Sequence, residues 1–287
     1  MHRSALVAFD FDHTITDDNT DVVARKLLPR ERLTDGVKDL FRSDGWIVYM
    51  SKIFQLLHEN SIDVKQIRNA IIGIPPVPGI EKLLRELHSN GCEIIIISDS
   101  NTLFISEWLK SKKLDEVVAE VFTNPASVDE NGMIKVDMYH VQESCKLSTV
   151  NLCKGQILDS YIDKRCDEGV HFDRVVYVGD GKNDLCPILR LSERDLAFPR
   201  KDYVLVKLLN GTENNEIPNV KARVFPWSDG REILEKLEKE IDLSSSSSSF
   251  FESREKCKVP NSRSSKLSWV SRSVEVSGAS TFRGTRP

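Results

Sequence analysis

Three short, almost unbroken apolar runs punctuate the chain: Ala5 to Phe9, "CEIIIIS" (Cys92 to Ser98) and "RVVYVGD" (Arg174 to Asp180). Runs of this length without polar alternation suit central parallel strands covered on both faces. Between them the period lengthens. In "PGIEKLLRELHSNG" Ile80, Leu83, Leu84 and Leu87 share one stripe, with Pro78 and Gly79 at the start and Gly91 as the stop. In "NTLFISEWLKSKKL" Asn101 is placed to cap a second amphipathic helix. This alternation predicts an α/β domain built on a doubly wound, mainly parallel sheet.

Two stretches break the pattern. Between Asp17 and about Pro75, helical periodicity recurs around Val22–Leu28, Val37–Phe41, Trp46–Leu57 and Val64–Ile71 with no central strand, which predicts a helical insertion over 17–75. "PASVDENGMIKVDMY" carries Asn131-Gly132 between alternating residues, a hairpin expected to project from the sheet. The core is then 1–16 with 76–243. From Ser244 six serines lead into a Ser-, Arg- and Lys-rich stretch with scarcely any apolar periodicity, which predicts a disordered tail over 244–287.

Composition narrows the classes. The chain has 287 residues, enough for a sizeable core, and a net charge of −4, which supplies no basic field for nucleic acid or an anionic membrane. No run approaches the length of a membrane span, and the apolar start is too short for a secretory signal, so a cytoplasmic protein is expected. The six cysteines are scattered without a Cys-x-x-Cys pair and are expected as free thiols. His140, Cys145, Cys153 and Cys166 have spacings too irregular to suggest zinc.

The candidate chemistry lies at the strand ends. Asp10 and Asp12 follow the first run, Ser98 closes the second, and Asp180 and Asp184 follow the third in "GDGKND". In an open parallel sheet the carboxyl ends of central strands line one crevice, where ligands bind. Bare carboxylates gathered there repel one another unless a cation compensates, and a site of a few acids with water and phosphate oxygens suits Mg²⁺. Two residues apart in extended chain, Asp10 and Asp12 can point the same way with Phe11 on the opposite face. One can attack phosphorus while the other moves a proton, and Lys154 can hold charge on the transferring oxygens.

"DFDHT", the Ser98 of "SDSN", Lys154 in "NLCKG" and "GDGKND" stand in the order of the four motifs of the haloacid dehalogenase-like phosphatases, which this sequence resembles. Through "IIISDSN", "VFTNPA", "VYVGDG", "NDLCP", "FPRKDY" and "PWSDG" it is most similar to the phosphoethanolamine/phosphocholine phosphatase group, and within it to the pyridoxal phosphate phosphatase branch. The similarity runs from about Leu6 to Ile241. It implies a Rossmann-like core with a helical cap inserted after the first strand, and Mg²⁺-dependent hydrolysis of small phosphorylated metabolites through an aspartyl-phosphate. Asp10 matches the nucleophile and Asp12 the general acid/base. The metal is expected on the Asp10 carboxylate, the Asp12 main-chain carbonyl and Asp180, with Asp184 close by. Ser98 and Lys154 match phosphate-holding positions, and Asp21 and Asp99 match acids directed at the rest of the substrate. Pyridoxal 5′-phosphate is the expected substrate, with phosphoethanolamine or phosphocholine as the alternative and a non-catalytic binding relative as a third reading.

The sequence departs from the family in one place. Relatives carry a Cys-x-x-Cys-Pro before the Lys motif, whereas here Cys145 is followed by Lys146, Leu147 and Ser148. His13 sits at a variable position and is expected to be solvated or to face the cap. Asp10, Asp12, Thr14, Asp18 and Asp21 also match calcium-loop positions, but Ile15 stands where that loop needs Gly and a strand precedes it. Asp21 and Asp99 have a plainer alternative as acids capping the helices that follow them.

Overall fold

A computed structural model describes residues 2–3, 5–40, 45–211 and 218–241, so the expected tail at 244–287 lies outside the described residues. The chain opens with β1 (His2–Arg3) and the buried β2 (Leu6–Phe9). Four helices follow: α1 (Thr20–Lys26), α2 (Asp35–Lys38), α3 (Trp46–Glu59) and α4 (Val64–Ile72). The alternation then resumes with α5 (Ile80–Ser89), β3 (Glu93–Asn101), α6 (Thr102–Ser111) and β4 (Glu120–Asn124). A hairpin of β5 (Ala126–Val128) and β6 (Ile134–Val136) precedes α7 (Lys154–Asp167), β7 (His171–Phe172) and β8 (Val175–Gly179). The chain continues through α8 (Leu185–Ile188), β9 (Leu196–Pro199), α9 (Val204–Leu209), β10 (Arg223–Val224) and α10 (Gly230–Glu240).

Six strands form one parallel sheet in the order β10-β9-β8-β2-β3-β4. The order winds outward in both directions from β2, the doubly wound arrangement that leaves a ligand crevice at the strands' carboxyl ends. Phe9 pairs in register with Ile96 on one side and Val178 on the other, so Asp10, Ser98 and Asp180 leave the sheet at nearly one level. Alternate residues feed two cores. Val7, Phe9, Ile94, Ile96, Val176 and Val178 face a layer that includes α3 to α6 and α10, whereas Leu6, Ala8, Ile95, Ile97, Val175 and Tyr177 face α7 to α9. The continuous apolar runs are thus explained by burial on both faces.

Local chemistry accounts for the helix starts. Asn19 accepts from the Val22 amide and caps α1, Asn101 accepts from Phe104 and caps α6, and Asp63 with Gln66 closes a reciprocal capping box on α4. Neither Asp21 nor Asp99 serves as a side-chain cap, but Asp21 lies in the first turn of α1, where an acid complements the helix charge. The hairpin is an antiparallel sheet of its own, but it does more than project. Ile134 and Val136 are buried, and β6 lies against α3. Cys92, Cys145, Cys153 and Cys186 are free thiols as expected, while Cys166 is disulfide-bonded against that expectation. Among the described residues no helix is long and apolar enough to cross a membrane.

Candidate active site

Asp10 leaves β2 almost fully buried, and both of its donors go to one oxygen: Phe11 N–H at 2.7 Å and Lys154 Nζ at 2.8 Å reach Oδ1. The second oxygen, Oδ2, is left open among the described residues. Phe11 turns the other way and packs edge-on to Trp108, with centroids 5.5 Å apart, so the strand end is anchored while its two acids face the crevice. Lys154 is the first residue of α7 and only 1% exposed, yet it also reaches Asp184 Oδ1 at 2.8 Å. Burial works against its charge, but Asp10, Asp184 and Asp99 together raise its pKa and keep it an ammonium.

Asp180 and Asp184 stand beside Asp10, with one carboxylate oxygen from each of the three lying within 4.8 Å of the others. They differ in what they have left to offer. Asp184 is fully buried, and its oxygens already accept from Lys154, from Tyr177 Oη at 2.7 Å and from the Asp180 and Gly181 amides at 3.0 and 2.8 Å. It positions the others. Gly179 is required for that fit, because a Cβ there would lie 2.5 Å from the Asp184 carboxyl carbon. Among the described residues the Asp180 carboxylate has only a long contact from Thr14 Oγ1 at 3.4 Å. Three buried carboxylates facing one ammonium leave a deficit of positive charge. A hard divalent cation fits these all-oxygen donors, with Asp10 and Asp180 the members free to ligate directly.

Asp12 points elsewhere. Its carboxylate takes the Thr20 N–H at 3.0 Å and the Thr20 hydroxyl at 3.1 Å, so the first residue of α1 holds it out of the acidic cluster. Burial lifts its pKa to about 7, with the Thr20 bonds pulling the other way. A carboxyl poised there can both give and take a proton near neutrality. Ser98 lies in the irregular stretch where the β3–β4 register shifts between Ile97 and Asn101, and its hydroxyl accepts from the Ser100 amide at 3.2 Å. Ser100 Oγ in turn meets Thr20 Oγ1 at 2.7 Å, tying this loop to α1.

Asp21 and Asp99 come together on a second wall. Both line a narrow cleft, too tight to admit a water molecule, with Trp46, Met50 and Phe54 from α3 and Val136 from the hairpin. Burial drives the Asp21 pKa well up, with Asp12 and Asp99 adding repulsion, and no described cation pairs with it. Asp99 is also raised by burial; its Oδ2 accepts from Asn183 at 2.5 Å, while Oδ1 is buried without a partner. His13 is half-buried against the Tyr203 ring, 5.4 Å between centroids, and Asp17, Asp18 and Lys26 of the helical segment are among the charges that act on it. Thr20, Tyr177, Asn183 and the cleft residue Val136 were invisible to sequence reasoning, because the fold makes their contacts and no motif or period in the chain marks them.

The electrostatics give a pH test. Burial raises the carboxyls of Asp10, Asp12 and Asp180, the last two to about 7. The folded state therefore holds protons that the unfolded chain sheds near pH 4, and the stability tied to them, full below pH 4, is lost as pH rises towards about 7. A cation in the cluster replaces the protons on Asp10 and Asp180. Added Mg²⁺ should accordingly raise the Tm little at pH 5 and markedly at pH 8, as read by melts at fixed ionic strength. An increment independent of pH would contradict this assignment of the cation to the acids.

Comparison with known proteins agrees with the geometry. A family profile described as "Putative Phosphatase" matches residues 5–241. Pyridoxal phosphate phosphatase PHOSPHO2 of Bos taurus is 37% identical over 235 residues, covering 81% of this chain and 97% of that protein. The human phosphoethanolamine/phosphocholine phosphatase is 32% identical over 230 residues, covering 79% and 86%. Among solved structures, a substrate-bound phosphoserine phosphatase superposes with a TM-score of 0.53 at 20% identity, covering 82% of this chain and 98% of that one. A phospho-aspartyl intermediate analogue of phosphoserine phosphatase gives 0.52 at 20%, covering 80% and 97%. The folds therefore agree, while the curated relatives carry the family. With its strand-end acids, buried lysine and doubly wound sheet in place, the chain belongs to this phosphatase family, haloacid dehalogenase-like hydrolases of phosphoric monoesters.

Proposed function

We propose that the protein is a Mg²⁺-dependent phosphatase of pyridoxal 5′-phosphate that works through an aspartyl-phosphate on Asp10. The observation that carries the mechanism is the division of labour at the end of β2. Asp10 has one oxygen held by Lys154 and Phe11 and the other open for attack, while Asp12, two residues on, is held by Thr20 with a pKa near 7. Asp10 Oδ2 attacks phosphorus as the ester P–O bond breaks, and Asp12 gives its proton to the departing alkoxide. Asp12 then takes a proton from water as that water attacks the phosphoryl group, which leaves as phosphate and restores Asp10. Ser98 and Lys154 hold the transferring oxygens. Asp10, Asp180 and the Asp12 main-chain carbonyl would hold Mg²⁺, with Asp184 behind them, and the ion would offset the repulsion between carboxylate and phosphate. Residues 17–75 act as a cap that closes the site against water.

The substrate assignment is supported by the pyridoxal phosphate phosphatase relatives, and the aromatic side chains of Trp46 and Phe54 line the narrow cleft beside Asp21 and Asp99. The second reading, a phosphoethanolamine or phosphocholine phosphatase, is favoured by Asp21 and Asp99 in the same cleft, Asp21 with no described cation acting on it. In a Mg²⁺ assay at matched concentrations, pyridoxal 5′-phosphate should give the highest kcat/KM. A higher value for phosphocholine or phosphoethanolamine would pass the assignment to the second reading. If Asp21 and Asp99 face a cationic leaving group, Asp→Asn at either should cost cationic substrates about 1 to 3 kcal/mol, roughly 5- to 150-fold, and spare p-nitrophenyl phosphate. Equal losses on both substrates would remove these residues from the substrate site.

A further inference from the structure

Close in the chain to Lys154 and Asp184, three thiols converge: Cys145 from the loop before α7, Cys153 at the start of α7 and Cys186 from α8. Cys186 Sγ lies 3.4 Å from Cys145 Sγ and 3.7 Å from Cys153 Sγ, and all three sulfurs fall within 4.8 Å of one another. Tetrahedral zinc–thiolate coordination has Zn–S near 2.3 Å, which sets sulfur–sulfur edges at about 3.8 Å. The two shorter separations lie close to that edge, and none approaches the covalent distance of a disulfide, about 2.05 Å.

The surroundings are organised for the same purpose. Gln142 is buried, and its carboxamide gathers the loop that bears Cys145: Oε1 accepts from the Cys145 amide at 2.9 Å and Nε2 donates to Thr149 O at 2.7 Å. Cys153 is held by its amide, which donates to His140 Nε2 at 2.9 Å. That bond occupies the imidazole lone pair, so His140 orients a ligand and is not one. Arg190 donates to Cys186 and offsets the negative charge that three thiolates carry. Cys153 and Cys186 are buried while Cys145 is partly exposed, which gives an ion a route in and leaves a fourth position facing the loop, where Ser148 Oγ lies 3.4 Å from Cys145 Sγ.

We infer that Cys145, Cys153 and Cys186 form a structural zinc site, with water or the Ser148 hydroxyl in the fourth position. Zinc binding releases the three thiol protons to solvent and forms three Zn–S bonds, with no change in oxidation state. Cys153 precedes Lys154 and Cys186 lies two residues after Asp184, so the ion clamps the two segments that meet at the Lys154–Asp184 ion pair. The inference is independent of the substrate reading.

The test loads the full chain, purified under reducing conditions, with Co²⁺ in place of zinc. Thiolate-to-cobalt charge-transfer absorption and tetrahedral d–d bands should develop to one equivalent, and one equivalent of Zn²⁺ should bleach them. The signal should survive Asp180→Ala, which removes a carboxylate from the other cation cluster, and should vanish in Cys145→Ser/Cys186→Ser. Should that variant misfold, thiol labelling of the wild type provides the second reading: zinc should protect Cys145, the one partly exposed thiol of the three, and a chelator should expose it. Absence of the charge-transfer bands, their survival in the double variant, or labelling unaffected by zinc would each overturn the site.

Discussion

Asp10→Asn should abolish turnover, by roughly 10⁴-fold or more, and leave the Tm unchanged or raised. On the proposed mechanism the nucleophile is lost, because a carboxamide oxygen cannot form the aspartyl-phosphate, so the effect should fall on kcat. The stability expectation comes from the surroundings. Asp10 shares its corner with Asp184 and Asp180, and burial together with their repulsion raises its pKa against the pull of Lys154. The amide keeps an acceptor for the Phe11 N–H and for Lys154 while removing a charge that is costly to bury. A kinetic assay paired with a melt decides. Residual activity within about tenfold of wild type would transfer the nucleophile elsewhere, and a large fall in Tm would show that the carboxylate is needed to hold the fold.

Lys154→Met should eliminate activity just as thoroughly but with the opposite effect on stability. The ammonium is 1% exposed and sits 2.8 Å from both Asp10 and Asp184. Removing it leaves two carboxylates facing one another without a cation, a change that costs about 3–5 kcal/mol when one partner of a buried pair is lost. At roughly 2–4 °C per kcal/mol for a chain of this size, the Tm should fall by on the order of 10 °C in metal-free buffer. Excess Mg²⁺ should restore part of that fall, because a second cation can stand between the same oxygens. A Tm within about 2 °C of wild type without metal would mean that the pair contributes little, and Lys154 would have to be assigned to phosphate alone.

Much of this fold could be read from the chain because β2, β3 and β8 are buried on both faces and so appear as continuous apolar runs. The outer strands were harder. β9 has only four residues and β10 two, too short to establish a period, and their pairing is set by neighbours rather than by their own pattern. In the site, the acids were legible since each follows a strand. What holds them was not. Thr20 reaches back to Asp12, Asn183 crosses to Asp99, and Tyr177 finds Asp184 from inside the sheet. Sequence spacing carries no trace of such contacts. The thiols show the same limit: positions 145, 153 and 186 are irregular along the chain and become neighbours only once α7 and α8 pack together.

The bond between Thr20 and Asp12 also makes proton transfer mechanical. Thr20 lowers the proton affinity of Asp12, so by reciprocity the loss of that proton tightens the grip of Asp12 on the start of α1, and its return loosens it. On the proposed mechanism Asp12 surrenders its proton as the alcohol departs and recovers it from water as phosphate forms, so its bonds from Thr20 are strongest in the phosphorylated enzyme and weakest once phosphate has formed.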